Sequence, residues 1–366
     1  MKNKLLTTAL VSSMLGAGIT ASVAQTTVSG NLDLSYMAYS DKQAAGKINS
    51  FRGFGKESQI NVANKGKLNN GMDYAAGFSI EMDGPDTGGT GMFEENVYID
   101  IISGSTTFTI GSDHIQNPDT NTPVLAGFGY LAIDGTRGSS VATTGLYPKG
   151  ANSPYSAYGA GVMQKTPIGT FSALYVPTNI ANAGALNDIL NSASASAAEP
   201  TTTRGTSESA YEFGFRGDLG VKGLTALAFI NKSDRRDTVT SGGDEKGRRI
   251  AATYVTGPFS IAVDYSKTEG TTTGAAATAG QAGENVKGRS IGLGYALTPN
   301  LTASIARAKA DTNVTSRAAD EEIDMIAIGY SLGPIAISAQ AKKVDNLAGN
   351  AGSDAEVLGV RVSTRF

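Results

Sequence analysis

Apolar and polar residues alternate one by one along much of the chain, most clearly in its second half. In the last segment every second residue is apolar or a threonine: Leu358, Val360, Val362, Thr364 and Phe366. The residues between them are small or charged: Gly359, Arg361, Ser363 and Arg365. Similar alternation runs through residues 326–332, 291–297, 259–266 and 73–82. Since successive side chains of a strand point to opposite faces, this period predicts β-strands with one apolar face.

Counting such segments predicts sixteen strands and an all-β fold. The predicted strands cover residues 26–40, 55–66, 70–83, 93–102, 106–112, 153–165, 169–177, 209–217, 222–232, 247–255, 259–267, 289–297, 301–309, 321–331, 335–343 and 355–366. Alternation alone would also suit a β-sandwich. The connections between the strands distinguish a β-barrel from a β-sandwich, because short and long links alternate along the whole chain.

The short links carry residues typical of tight turns. They are Asn70-Gly71, Ser103-Gly104, 167–169, 220–223, Gly257-Pro258, Pro299-Asn300 and Gly333-Pro334. The long polar links, among them 113–152, 178–208, 233–246, 268–288 and 344–354, fall between them. Short turns on one side of a membrane and long loops on the other are typical of a bacterial outer-membrane barrel. We therefore predict a transmembrane antiparallel β-barrel, which pairs its backbone without leaving an edge.

The first residues predict a secretory signal peptide. Lys2 and Lys4 precede the apolar stretch 5–19, and small residues follow at 22–24. The alternative, a transmembrane anchor, needs a longer apolar segment. We assign residues 1–24 to the signal peptide and 25–366 to the barrel. Without the leader, the net charge changes from −3 to −5 because Lys2 and Lys4 are removed.

A barrel of sixteen strands has a lumen wide enough for water. If the apolar faces meet lipid, the opposite faces line that lumen with charged residues. The predicted lumen-wall residues are Asp33, Asp73, Glu81, Asp100, Glu212, Arg216, Asp264, Lys342, Arg361 and Arg365. The alternative for each of them is a solvated charge at a strand end.

The composition excludes several kinds of site. The chain has no cysteine and a single histidine, His114, so thiolate zinc sites and multi-histidine metal centres are impossible. The net negative charge argues against a nucleic-acid partner. We expect no cofactor and no enzyme activity, and we interpret His114, at the start of a long link, as a polar loop residue. Asp83 and Asp86 could hold calcium, but their Gly-Pro-rich surroundings are also those of an exposed turn.

Several motifs, taken in their order along the whole mature chain, resemble those of the Gram-negative general diffusion porins. Residues 58–83 around the turn Asn70-Gly71 resemble the second and third strands of that family. Residues 93–113 resemble its fourth and fifth strands, and residues 152–155 with 166–171 resemble its sixth and seventh. The terminal Phe366 matches the aromatic residue that the outer-membrane assembly machinery recognises in the family.

The resemblance implies a homotrimeric pore in the outer membrane, surrounded by lipid and lipopolysaccharide, for small hydrophilic solutes. In the family, the third long loop folds into the barrel and narrows it. The corresponding loop here is 113–152, with the acidic residues Asp113, Asp119 and Asp134 and the basic residues Arg137 and Lys149. The alternative is a loop that only covers the outer mouth.

Two departures from the family leave ion selectivity open. The usual acidic-glycine motif of the loop is replaced by the apolar segment 123–130. The family's arginine ladder is reduced to a loose group near the second strand: Arg52, Lys56, Lys65 and Lys67. The sequence predicts a passive diffusion channel, with a substrate-selective channel or a plugged barrel used for surface adhesion as the alternatives.

Overall fold

The computed structural model describes residues 24–42, 48–82, 93–111, 159–176, 207–235, 245–270, 286–312, 319–346 and 351–366. Within these ranges the chain forms sixteen strands: β1 Gln25–Lys42, β2 Ile48–Lys67, β3 Asp73–Glu81, β4 Phe93–Ser103, β5 Thr106–Gly111, β6 Gly159–Thr166, β7 Gly169–Val176, β8 Ser207–Gly217, β9 Leu224–Arg235, β10 Glu245–Thr256, β11 Phe259–Gly270, β12 Val286–Thr298, β13 Leu301–Thr312, β14 Glu321–Leu332, β15 Ile335–Asp345 and β16 Asp354–Arg365. The predicted all-β fold is confirmed.

Each strand pairs antiparallel with its neighbours in sequence, and β16 returns to pair with β1. The closing ladder runs from Asn31 opposite Arg365 to Lys42 opposite Asp354. Because the barrel closes on itself, its strands satisfy one another's backbone donors and acceptors inside a lipid phase. No helix in the described part of the chain is long and apolar enough to cross a membrane.

Glycines with positive φ form three of the short turns. Gly104, Gly257 and Gly333 have φ of 60°, 56° and 60°, and each is the first residue of a two-residue turn. This conformation matches the twist of a hairpin and is unfavourable for residues with a Cβ. The sequence therefore fixes these hairpins locally, at the same end of the barrel.

The apolar face of the strands lies on the outside of the barrel. Phe54, Ile250 and Ile326 are 89%, 67% and 59% exposed, whereas the residues beside them in sequence point to the opposite face. Side chains on the concave side of a closed sheet converge, and those on the convex side splay apart. An exposed apolar exterior is the surface that a bilayer covers.

Some strand bounds differ from the prediction. β3 begins at Asp73 and not at residue 70, because Asn70 and Gly71 form the turn itself. β2 begins at Ile48, seven residues earlier than predicted, because it continues to pair with β1 as far as Lys42. β6 begins at Gly159, and the predicted start at 153–158 lies outside the described residues. Residues 1–23 also lie outside them, so the signal peptide stays a prediction.

Candidate functional site: the inner wall of the barrel

The inner wall consists of the side chains that face away from the exposed apolar positions. Strand alternation and register put all ten predicted lumen-wall residues on this face. They are Asp33, Asp73, Glu81, Asp100, Glu212, Arg216, Asp264, Lys342, Arg361 and Arg365. Arg216 and Arg365 are exposed near the short-turn end, whereas Glu81 and Glu212 are 9% and 1% exposed.

A deeply buried ion pair of the inner wall joins β10 to β11. The Arg249 Nε donates a hydrogen bond of 2.9 Å to the Asp264 Oδ2, and the Arg249 Nη2 contacts the same oxygen. Only 2% and 3% of the two side chains are exposed. Such a pair is held by its mutual attraction, since either charge alone would be costly to bury.

A second ion pair crosses the closing ladder between β1 and β16. The Arg361 Nε donates to the Asp33 Oδ1 at 3.1 Å, and the Arg361 Nη2 donates to the Asp33 Oδ2 at 2.5 Å. This two-point contact fixes the guanidinium plane against the carboxylate. The Asn31 Nδ2 donates a further hydrogen bond of 3.3 Å to the Asp33 Oδ2.

Two other acidic residues of the inner wall have defined partners. The Thr109 hydroxyl donates to the Asp100 Oδ1 at 2.6 Å, in a buried contact between β5 and β4. The Lys67 Nζ lies 2.6 Å from the Asp73 Oδ1 beside the β2–β3 turn, where about half of each side chain is exposed. The inner wall thus carries charged side chains at several positions along the barrel axis.

Part of the inner wall is apolar. One buried cluster lies on β1 and β13–β16, toward the ends that bear the long links: Met37, Tyr39, Ala308, Ala310, Ile323, Val344, Ala355 and Val357. In the closed order of sixteen strands, β13 and β14 lie eight strands from β5 and β6. β13 and β14, at one edge of the apolar cluster, therefore lie across the barrel from β5 and β6, the two strands that the link 112–158 connects.

The comparisons with known proteins agree with this architecture. The sequence profile of the Gram-negative porins matches residues 7–315. The chain belongs to the Gram-negative porin family. No curated protein sequence matches it.

Solved structures with the same fold share little sequence with this porin. The anion-selective porin from Comamonas acidovorans is 13% identical, with a TM-score of 0.65, over 94% of this chain and all of that one. Salmonella typhi OmpF in complex with daunomycin is 10% identical, with a TM-score of 0.62, over 93% and 97%. The trimer form of Vibrio cholerae OmpT is 11% identical, with a TM-score of 0.52, over 93% and 99%.

Family and fold together identify a passive diffusion channel of the outer membrane, as predicted. The short turns of the porin then lie on the periplasmic side and its long links on the extracellular side. Both described ends of the barrel, Gln25 and Phe366, lie on the periplasmic side.

Further charged residues of this porin face inward, and sequence reasoning missed them as wall residues: Glu57, Lys165, Arg249 and Glu321. Lys65 and Lys67 also face inward, whereas Arg52 and Lys56 face outward, so the loose basic group near β2 is divided between two faces. Among the described side chains, the inner wall carries equal numbers of acidic and basic residues. Continuing the alternation along each strand would have found all of them.

The remaining predicted site residues lie outside the described residues. These are the loop residues Asp113, His114, Asp119, Asp134, Arg137 and Lys149 and the calcium candidates Asp83 and Asp86. Among the residues that are described, no group of three or more His, Asp or Glu side chains could hold a metal ion. Phe366 is described: it is 70% exposed, and its backbone pairs with Gly30 through hydrogen bonds of 2.9 and 3.0 Å.

Proposed function

We propose that the porin passes small hydrophilic solutes and ions, and that loop 113–152 folds inward and filters them by size and charge. The observation that carries the proposal is the inner wall itself, where acidic and basic side chains are held at fixed positions by partners such as Arg249 and Asp264. Opposed fixed charges across a narrow aqueous gap favour polar solutes over apolar ones. The transport makes and breaks no bond, and we propose no enzyme activity.

The apolar inner cluster supports an inward position of the loop. The loop leaves β5 and returns to β6, across the barrel from β13 and β14. Its segment 123–130 contains Val124, Leu125, Phe128 and Tyr130, which could bury apolar surface against an apolar wall. The loop acids Asp113, Asp119 and Asp134, with Arg137 and Lys149, would then border the narrowest part of the pore.

We propose a homotrimer, as in the form of Vibrio cholerae OmpT described as a trimer. We also propose that the leader 1–24 is removed and that the assembly machinery recognises Phe366. Lipid and lipopolysaccharide would surround the exposed apolar exterior. A complex that stays monomeric in mild detergent at every concentration would contradict the trimer.

Single-channel recording in a planar bilayer tests the diffusion channel. Large ohmic steps of long duration are expected from a general pore. Absence of conductance from correctly folded protein would favour a plugged barrel used for adhesion. Strong block of the ion current by one solute at low concentration would indicate a substrate-selective channel.

The position of the loop is tested by its charges. The double variant Asp119→Asn/Asp134→Asn should lower cation preference, measured as the reversal potential in a salt gradient. The matched control is Asp324→Asn, which removes a carboxylate from the outward face of β14. Unchanged reversal potentials in the double variant would reject the inward loop while leaving the channel itself intact.

A further inference from the structure

Lys342 lies on an uncharged part of the inner wall. It faces inward on β15 and is partly buried, and the residues opposite it are Met325 on β14 and Val357 on β16. Its inward neighbours along β15 are Gln340 and Val344. Among the described residues, no carboxylate lies within ion-pair distance of the Lys342 Nζ. The described part of the wall therefore does not neutralise this cation.

Two arginines of the inner wall show how a buried cation is usually held. Arg249 contacts Asp264 on the next strand, and Arg361 contacts Asp33 across the closing ladder. A cation that is withdrawn from water is stabilised when an anion or hydrogen-bond acceptors replace its lost hydration. A solute with a negative group could give Lys342 what the two carboxylates give these arginines.

A buried hydroxyl lies two strands away from Lys342. Ser304 faces inward on β13, and only 4% of the residue is exposed. Its Oγ has no hydrogen-bond partner within the described part of the chain. Burying a hydroxyl without a partner is unfavourable, because the group loses its hydrogen bonds to water and gains none in return. The Ser304 hydroxyl is therefore a second group of this wall that a bound solute could satisfy.

The strand register brings these polar groups to one place on the wall. Ser304 and Gln340 are opposite Ala327 on its two sides, so they lie roughly 10 Å apart across the sheet. Lys342 is the next inward residue after Gln340, roughly 7 Å along β15. Since Ala327 has only a methyl group, the wall is recessed between its larger polar neighbours. We call Ser304, Gln340 and Lys342 the donor group.

The donor group borders an apolar part of the wall. Ala327 belongs to a buried cluster that includes Leu227 and Phe229 on β9, and Ala306 and Met325 pack against this cluster. Apolar surface beside a few polar groups is the usual composition of a small-molecule site, in which the polar groups set the orientation of the ligand. The apolar part of a solute would displace water from this surface.

The donor group lies on the periplasmic side of the apolar inner cluster. The inward residues of β14 run from Ile323, a member of that cluster, through Met325 to Ala327, toward the periplasmic turn. A solute that enters from outside therefore meets the donor group after it has passed the proposed constriction. The donor group is also distinct from the surface on which loop 113–152 is proposed to pack.

We propose that the donor group binds small organic anions that carry a carboxylate, an amide and an apolar side chain. The Lys342 ammonium would bind the carboxylate through a charge-assisted hydrogen bond, and Gln340 and Ser304 would bind the amide. The apolar side chain would lie against Met325 and Ala327. This inference rests on the proposed passage of solutes and adds the class of solute that the pore holds on its way.

Titration of the detergent-solubilised porin with N-acetylleucine, followed by ligand-observed NMR, tests the proposal. K342Q should bind this probe about 10- to 100-fold more weakly than the wild type, and S304A about 2- to 10-fold more weakly. The matched control is K165Q, which removes an inward cation from β6 on the far side of the lumen and should bind within about twofold of the wild type. N-acetylleucinamide, which has no charge, should bind the wild type as weakly as N-acetylleucine binds K342Q.

Several results would overturn the assignment. These are no binding of N-acetylleucine by the wild type, equal affinities of the wild type and K342Q, or equal affinities of the wild type for the acid and the amide. Equal losses in K342Q and K165Q would also overturn it, since they would indicate an effect of the overall lumen charge. Heat-modifiable gel mobility verifies that the variants fold.

Single-channel recording separates this inference from the proposed function. Ohmic conductance without binding of N-acetylleucine would reject the donor group as a site and leave the diffusion channel intact. Binding that depends on Lys342 without any conductance would support the site and reject the channel.

Discussion

Arg249 and Asp264 form an ion pair that the inner wall buries almost completely, while Arg248, the residue before Arg249, faces the membrane side. Two adjacent arginines therefore serve two environments. Arg249 is fixed by a carboxylate on the next strand. Arg248 is opposite Lys267, another cation. The difference follows from strand alternation alone.

Replacing Asp264 should destabilise the barrel. In Asp264→Ala, Arg249 loses this carboxylate in a site where its side chain is 2% exposed. Removing one partner of a buried ion pair costs about 3–5 kcal/mol, so the denaturant midpoint in detergent micelles should fall clearly. Asp264→Asn keeps an acceptor for the Arg249 Nε and should lose less. The matched control is Arg307→Gln, which breaks an exposed pair with Glu322 and should change the midpoint little. Equal midpoints for Asp264→Ala and Arg307→Gln would contradict the prediction.

The hydroxyl of Thr109 should contribute to the stability of the inner wall. Thr109→Val keeps the side-chain shape but removes the donor that lies 2.6 Å from the Asp100 Oδ1. Loss of a buried hydrogen bond to a charged group costs about 1.5–3 kcal/mol, measured as the free energy of unfolding in micelles. Thr107→Val, on the same face of β5, is the control. The role of this hydroxyl is rejected if both variants lose the same stability.

The direction in which a lysine faces should decide whether it affects ion selectivity. Lys65 faces the lumen and Lys56 faces outward, although both are exposed residues of β2. Lys65→Glu should raise the ratio of cation to anion permeability roughly twofold, because a fixed charge in the pore acts directly on passing ions. Lys56→Glu makes the same charge change outside the pore and should leave the ratio unchanged. Reversal potentials in a potassium chloride gradient measure both. A larger shift in Lys56→Glu would mean that the faces are assigned wrongly.

The absence of a side chain at Gly30 should be required for the close packing of β1 against Phe366. A Cβ at Gly30 would lie 2.5 Å from the Gln59 carbonyl oxygen and 2.5 Å from the Phe366 ring. Gly30→Ala should therefore destabilise the barrel by about 1–3 kcal/mol through overpacking. At Gly53, on the inward face of β2, a Cβ would meet no atom within 4 Å, so Gly53→Ala is the control. Thermal unfolding followed by gel mobility compares the two, and unfolding at the same temperature would reject the steric explanation.

Much of the fold could be predicted from the sequence because strand alternation and turn residues are local signals. The start of β11 at Phe259 and the turn Gly333-Pro334 required only neighbouring residues to recognise. The length of β2 was underestimated, since its first residues are held by pairing with β1 and carry a weaker alternation of their own. Pairing between strands is a tertiary property.

The candidate site was harder to predict, because an ion pair depends on which residues become neighbours across strands. Asp264 is one of the predicted wall residues, whereas its partner Arg249 is not among them. The contact between Asp33 and Arg361 joins residues 328 positions apart, and no local pattern indicates it. A shift of one residue in register would move either partner to the other face.

The closing ladder between β1 and β16 has a consequence for biogenesis. The partner of the first strand is the last strand of the barrel, so the sheet keeps one unpaired edge until β16 has been made. Contacts this distant in sequence also form slowly. The whole polypeptide must therefore be kept from aggregating on its way to the membrane, and shortening it by even one segment would leave an open sheet.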